Sequence, residues 1–227
     1  MGGAIGASLP LAVGIAISPL PIIAMVLVLT SSKARANGPA FLAGWLLGLG
    51  VVGAVVLIVA GQTGAGGAGE GTPAAWVSWL KIVLGVLLLW HAVAEFRGRP
   101  RGDEQPTMPK WMATVDRTTP VVALGLGALL SGVNPKNLLL AVAGATAIAQ
   151  TGISAVQQAL AYVVFALIGT VGVGAPAVIY FAMGQRSEKL LAELKDWMGR
   201  NNAVIVSVLC LVIAAKLIGE AIVALAG

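Results

Sequence analysis

One short polar stretch inside a long apolar run constrains this chain more than any other feature. The run extends from Thr119 to Gln150, and Ser-Gly-Val-Asn-Pro-Lys-Asn occupies residues 131–137 near its centre. As a straight helix the run would be about 48 Å long, at about 1.5 Å per residue, whereas the apolar core of a bilayer is about 30 Å thick. A proline and a lysine in mid-membrane are also costly in a simple upright span. The run therefore predicts a helix that is broken near its centre.

The residues around the break indicate where each half of the helix ends. Pro135 disfavours helical backbone at Asn134, so the first half is predicted to end near Gly132. Asparagine is a good N-cap and proline fits the first helical position, so the second half is predicted to begin at Asn134-Pro135. Its N-terminus, the positive end of the helix dipole, then points into the membrane with the Lys136 ammonium beside it. Discontinuous helices of this kind form midplane sites in transporters.

Composition places the whole chain in the membrane. Of its 227 residues 58% are hydrophobic and 10% are charged, and the mean hydropathy is +0.94. A soluble domain would carry about a quarter charged residues. The apolar runs are long and continuous rather than alternating, which favours helices over a β-barrel. We therefore expect an all-α integral membrane protein with six transmembrane helices, over Leu9–Thr30, Pro39–Ala60, Ala75–Phe96, Thr119–Gln150, Ser154–Met183 and Val204–Leu225.

The basic residues indicate how these spans are oriented. The first, third and fifth connections between spans carry two, five and four basic residues, which is eleven of the 14 in the chain, and the second and fourth carry none. Positive charge marks the cytoplasmic side. This predicts a multi-pass protein of the inner (plasma) membrane with both termini outside the cytoplasm. Because the net charge of +5 is explained by topology, nucleic acid is not expected as a partner.

The chain also contains a weak internal repeat. A shift of 116 residues places Pro19 on Pro135, and the Ser-Pro-Leu-Pro at 18–21 on the Asn-Pro-Lys-Asn at 134–137. A shift of 125 places His91 on Lys216 and Glu95 on Glu220. Three spans per half is an odd number, so the second half is inverted in the membrane. We predict two inverted three-helix repeats, residues 1–100 and 119–227, each with a broken first helix, joined by a cytoplasmic linker over 101–118.

The segment 185–200 before the last span is predicted to form an amphipathic helix at the membrane surface. Apolar residues recur at helical spacing on one face and charged residues fill the other. A simple connector helix explains the same pattern. The apolar positions are Leu190, Leu191, Leu194, Trp197 and Met198.

The two broken helices together predict a binding site for an anionic group. Both N-termini approach each other near the midplane, and Lys136 adds a full positive charge. The alternative is that proline and asparagine only kink the helices for packing, and that Lys136 pairs with an acid. The predicted substrate-binding residues are Ser18, Pro19, Pro21, Asn134, Pro135, Lys136 and Asn137.

Other embedded polar residues suggest a smaller set of roles. His91 and Glu95, spaced i, i+4 on one helix face, form either a proton relay or a helix pair near the interface. Lys216 with Glu220 is interpreted as a structural pair, and Lys81 is expected to reach the outer interface. One histidine and one cysteine cannot build a usual zinc site, and no triad-like arrangement is present. We therefore expect no metal, no cofactor and no enzymatic activity.

Three stretches resemble the glycopeptidolipid-addressing protein (GAP) family of the lysine-exporter (LysE) superfamily. They are Ile-Ser-Pro-Leu-Pro-Ile-Ile at 17–23, the run from Lys33 to Gly48, and Asn-Pro-Lys-Asn-Leu at 134–138. The resemblance covers nearly the whole chain. It implies a six-span fold of inverted repeats and an export role, with glycolipids as cargo in the family and amino acids or cations elsewhere in the superfamily. It also implies work beside larger lipid-export machinery, and a homodimer is the other assembly to consider.

Three functions follow from these observations. The first is a transporter that exports or flips an anionic amphipathic molecule, a lipid or glycolipid intermediate, through the midplane site. The second is a proton-coupled exporter of amino acids or other small solutes. The third is a non-transporting scaffold of a lipid-export complex. An opening between spans with apolar walls leading to Lys136 would favour lipid as the cargo.

Overall fold

The computed structural model describes residues 1–62, 75–98 and 118–226, and every regular element among them is helical. Most of the glycine-rich second connection, and the predicted linker 101–118 except for Thr118, lie outside these residues. A 3₁₀ turn, Gly184–Arg186, separates the last two helices. In chain order the α-helices are α1 (Gly2–Ala16), α2 (Pro19–Thr30), α3 (Ala34–Gln62), α4 (Ala75–Arg97), α5 (Pro120–Gly132), α6 (Pro135–Ala149), α7 (Ala155–Met183) and α8 (Ser187–Ala226).

Both predicted helix breaks are confirmed. Helices α1 and α2 meet at 52°, and α5 and α6 meet at 63°. In each pair the second helix begins with a proline, Pro19 or Pro135, in its first turn. A proline there costs little because the first helical N–H has no partner within the helix. Helix α1 starts earlier than predicted, at Gly2, because Ala4 and Ser8 in its first turns are buried against the bundle.

The helices are long and apolar enough for a multi-pass membrane protein. In the described residues α3, α4, α7 and α8 each reach span length, and the count rises to six if each bent pair is one span. The outward faces carry exposed valines and leucines, such as Leu47, Val51, Val163 and Val171, as expected of a surface in contact with lipid. The predicted count of six is thus the upper value, and the inverted order of the two halves stays a prediction.

The predicted amphipathic segment is not a separate helix. It is the first part of α8, which continues without interruption for 40 residues into the last span. Residues 199–203 contain one glycine and no proline, and a single glycine costs only about 1 kcal/mol in a helix. Leu191 and Met198 are buried, whereas Leu190 and Trp197 of the predicted apolar face are exposed.

Glycines bring α3 and α5 into close contact. A Cβ placed on Gly44 or Gly48 would overlap the backbone of α5, and one on Gly127 would overlap the carbonyl of Phe41 on α3. Gly44 and Gly48 thus act as small residues that let two helices approach closely. On α7 a Cβ on Gly172 would likewise overlap the Ala16 carbonyl, whereas Gly174 has open space around its Cβ position.

Three charged residues form a cluster between α4 and α8. Lys81 Nζ lies 2.9 Å from Glu220 Oε2, and Lys216 Nζ lies 3.4 Å from Glu220 Oε1. Lys216 also donates a hydrogen bond to the Ala7 carbonyl of α1 at 3.0 Å. The interpretation of Lys216 and Glu220 as a structural pair fits these contacts. That Lys81 reaches the outer interface stays a prediction; its ammonium pairs with the facing carboxylate of Glu220, which compensates for its partial burial.

The close approach of α3 and α5 can be tested with two glycines of α5. Gly127→Val should lower stability by about 1–3 kcal/mol, because its side chain must displace the backbone of α3. Gly125→Val is the matched control, since nothing lies within 4 Å of the Cβ position there. Thermal unfolding in detergent measures both, and equal melting temperatures would contradict the packing described.

Candidate functional site

The starts of α2 and α6 meet in the interior of the bundle. Lys136 Nζ donates to Ser18 Oγ at 2.6 Å, and Ser18 Oγ donates in turn to Asn137 Oδ1 at 2.7 Å. The amide of Asn137 donates to the Leu130 carbonyl of α5 at 2.9 Å. Ser18 is 118 positions from Lys136 and 119 from Asn137 in the sequence, yet the three side chains are linked by continuous hydrogen bonds. The two quartets aligned by the internal repeat are therefore in contact.

The two helix caps use their side chains differently. Asn134 caps α6 as predicted, with its side-chain oxygen accepting from the Asn137 backbone N–H at 3.5 Å. Ser18 occupies the N-cap position of α2 but makes no side-chain cap bond. Its hydroxyl instead bonds Lys136 and Asn137 across the interface. Ser18 therefore contributes to joining the two halves rather than to starting its own helix.

The helix tips offer fewer backbone donors than expected. Pro19, Pro21 and Pro135 carry no N–H, and the N–H groups of Asn137 and Leu138 are already bonded to Asn134. The remaining first-turn donors are at most the backbone N–H groups of Leu20 and Lys136. The positive character of the site thus depends on the Lys136 ammonium more than on a ring of free amides.

Lys136 is buried, and its ammonium forms no ion pair in the part of the chain that the structure describes. Its side chain belongs to a residue that is 3% exposed, and no carboxylate lies within 4 Å of Nζ among the described residues. Ser18 accepts one of the three ammonium protons. The alternative prediction, that Lys136 pairs with an acid, is therefore not what the structure shows. An ammonium in this position retains donors for a ligand.

A cavity of about 420 Å³ adjoins the two tips. It brings most of the predicted site residues together with the predicted relay pair, His91 and Glu95 of α4. Asn137 does not line the cavity, but its side-chain oxygen accepts the hydrogen bond from Ser18, which does. The predicted residues that line it are Ser18, Pro19, Pro21, Asn134, Pro135, Lys136, His91 and Glu95.

Helix α8 supplies a wall of the cavity that the sequence analysis missed. Four residues of α8 at helical spacing line the cavity: Gly199, Asn202, Ala203 and Val206. Gly98, which follows α4, lines it as well. The signal in the sequence is the pair Asn201-Asn202, two amides at the start of an apolar run. Asn201 bonds the Trp197 carbonyl of its own helix, which leaves Asn202 as the amide of this wall.

The predicted relay pair, His91 and Glu95, lines the cavity from α4. His91 and Glu95 lie one helical turn apart and both face the cavity, yet no ion pair joins them in the described part of the chain. The cavity thus holds one buried cation near the helix breaks, and one carboxyl and one imidazole towards the end of α4. The described residues contain no group of three His, Cys, Asp or Glu that could hold a metal ion.

This arrangement defines a multi-pass α-helical membrane protein with a partly polar cavity beside the starts of α2 and α6. Within that class, residues 9–223 match the model of one family, described as Sap, sulfolipid-1-addressing protein. The chain belongs to this family. No curated protein and no solved structure matches it.

The family match bears on the resemblance noted in the sequence. A lipid-addressing family is confirmed over nearly the whole chain, under the description of sulfolipid-1 rather than glycopeptidolipid addressing. The wider placement in the lysine-exporter superfamily stays a prediction. The protein is thus a membrane protein of a lipid-addressing family, with a buried lysine at the junction of its broken helices.

The hydrogen-bonded junction can be tested through Asn137. Asn137→Leu removes the acceptor of Ser18 and the donor to Leu130, and we expect a loss of roughly 1 kcal/mol in stability. Asn201→Leu is the control, because that amide bonds only within its own helix at the surface. Thermal unfolding in detergent gives the comparison, and a larger effect at Asn201 would be inconsistent with the junction.

Proposed function

We propose that this protein is a membrane transporter that exports or flips an anionic amphipathic lipid through the cavity beside Lys136. One observation supports this above others: a buried ammonium faces a polar cavity and has no carboxylate within ion-pairing distance among the described residues. A buried charge is costly unless a partner compensates for it. An anionic head group supplies that partner.

The chemistry of the cavity suits a sulfate or phosphate head group. Lys136 provides the charge, and the backbone N–H groups of Leu20 and Lys136 lie at the positive ends of two helix dipoles. Asn202 adds an amide from the opposite wall. A sulfolipid, the molecule in the family's name, is anionic and amphipathic, and so agrees with this site.

The small-solute exporter and the scaffold are less well supported. A scaffold needs neither a buried cation nor a cavity of about 420 Å³ beside it. A small-solute exporter uses the same cation, but the family description concerns a lipid. Lipid is therefore the proposed cargo, and no enzymatic step is proposed for the cavity.

We further propose that Glu95 and His91 couple transport to protons. A negative Glu95 repels an anionic ligand in the shared cavity, and a protonated Glu95 does not. Binding of the anion and of a proton are then linked. Six spans in two inverted repeats, with the basic connections in the cytoplasm, complete the proposal. This orientation opens the cavity, through Gly98 and Gly199, towards the cytoplasm.

Replacing the buried lysine tests the binding site directly. In proteoliposomes that contain fluorescent phosphatidylglycerol as the anionic lipid, Lys136→Gln should lower protein-dependent lipid movement by about 10–100-fold, since a charged hydrogen bond is worth about 1.5–3 kcal/mol. Lys136→Arg should retain part of it. Lys216→Gln, an embedded lysine outside the cavity, is the control. Normal transport by Lys136→Gln, or none by the wild-type protein, would refute the proposal.

Proton coupling is tested by a matched pair of acids. We expect Glu95→Gln to abolish the acceleration of lipid movement by a pH gradient, because the site can no longer exchange a proton. Glu220→Gln, at the equivalent position of the second repeat, should leave the gradient response in place. The measurement is transport with and without an imposed gradient. A Glu95→Gln protein that still responds would exclude this residue from coupling.

A further inference from the structure

An apolar groove lies on the outer side of the same two helices that wall the polar cavity. Its volume is about 300 Å³, and Ala92, Val93, Phe96 and Arg97 of α4 face Val208 and Leu211 of α8 across it. Val93, Phe96, Val208 and Leu211 are each about half exposed on the surface that contacts lipid. The groove is therefore open to the bilayer rather than enclosed by the bundle.

The groove and the cavity share α4 and α8 as walls. Neighbouring residues alternate between them: Glu95 lines the cavity and Phe96 the groove, and Val206 lines the cavity and Ser207 the groove. A hydrogen bond joins the two helices here, from Ser207 Oγ to the Ala92 carbonyl at 3.0 Å. We call this contact the α4–α8 seam, defined by Ala92, Ala203, Val206 and Ser207.

The residues of the seam are small or medium in size, so little bulk separates the two spaces. Ala92 and Ala203 are alanines, and Ser207 contributes a hydroxyl that bonds a backbone carbonyl. The hydrogen bond from Ser207 to Ala92 is of a kind that contributes about 1 kcal/mol or less in membranes.

Charge and surroundings indicate what the groove holds. Arg97 lies at the groove, in the last turn of α4. A cation beside an apolar, lipid-facing surface suits an anionic lipid whose chain lies along the apolar part. Another apolar groove, on α3 around Leu47 and Val51, has no basic residue among its described lining residues and shares none of them with the polar cavity. The two grooves therefore differ in charge and in what lies behind them.

We propose that an acyl chain of the transported lipid occupies the α4–α8 groove while its anionic head group lies beside Lys136, so that the lipid straddles the seam. The inference rests on the proposed function and deepens it, because it makes a chain-bearing lipid, rather than a free anion, the substrate. The head group enters the cavity sideways between α4 and α8. The chain stays in the bilayer throughout and Arg97 holds the head group before entry.

Filling the groove tests the site for the chain. With fluorescent phosphatidylglycerol in proteoliposomes, Val208→Trp should lower lipid movement by about tenfold, the change expected for loss of contact with about two methylene groups. Val51→Trp is the matched control, since it adds the same side chain to an exposed valine in the α3 groove. Equal transport by the two variants would overturn the proposal.

A reversible lock tests the seam in a way that does not depend on folding. In a Cys210→Ala background, Ala92→Cys with Ser207→Cys places two thiols where one hydrogen bond now joins the helices. After oxidation, with loss of free thiols as the check on bond formation, lipid movement should stop, and a reductant should restore it. Transport that persists in the oxidised protein would exclude entry through the seam.

The two proposals fail in different ways. If Lys136→Gln transports normally, the head-group site and the proposed function fail together. If Lys136→Gln loses transport but Val208→Trp and the oxidised seam do not, the proposed function stands and only the groove is refuted. A photoreactive chain that labels residues 207–211 equally in wild type and Lys136→Gln would mark bulk lipid instead of cargo, and would also refute the groove as a substrate site.

Discussion

The absence of water from the membrane interior governs this structure. Where a proline interrupts a span, freed backbone groups and polar side chains must find partners within the protein. Here they do so through one hydrogen-bonded chain, from Lys136 through Ser18 and Asn137 to the Leu130 carbonyl. This chain joins the beginnings of α2 and α6, and it is the reason that two breaks far apart in sequence form a single junction. The cavity, its charge and the placement of α8 all depend on that junction.

The helices around this junction are joined by different kinds of contact. Glycine-mediated contact joins α3 tightly to α5, and the cluster of Lys81, Lys216 and Glu220 ties α4 and α8 together on a separate stretch. Where α4 and α8 meet beside the cavity, the Ser207 hydroxyl donates a hydrogen bond to the Ala92 carbonyl. The polar space therefore adjoins a stretch of the α4–α8 contact that lies away from the charged cluster.

Local residue chemistry predicted the junction well, whereas contacts between distant helices were harder to foresee. Asn134-Pro135 and Ser18-Pro19 are short-range signals for a helix start, so both breaks followed from the sequence. The sequence also indicates that few backbone N–H groups are free at the helix starts, because Pro21 and Pro135 have none. The capping pattern alone, by contrast, favours a site that depends on the helix dipole. The pairing of Lys81 with Glu220 depends on how α4 crosses α8, which no local pattern encodes. Asn202 was missed because the charged start of α8 was assigned to a separate surface helix.

The uninterrupted length of α8 has a mechanical consequence. At about 1.5 Å per residue its 40 residues extend about 60 Å, roughly twice the thickness of the hydrocarbon layer. Gly199 and Asn202, which line the polar cavity, lie partway along this continuous helix. Because the helix is continuous, a protein that moved the charged segment around Glu188 and Lys189 would also move the cavity wall formed by Gly199 and Asn202, without contacting that wall.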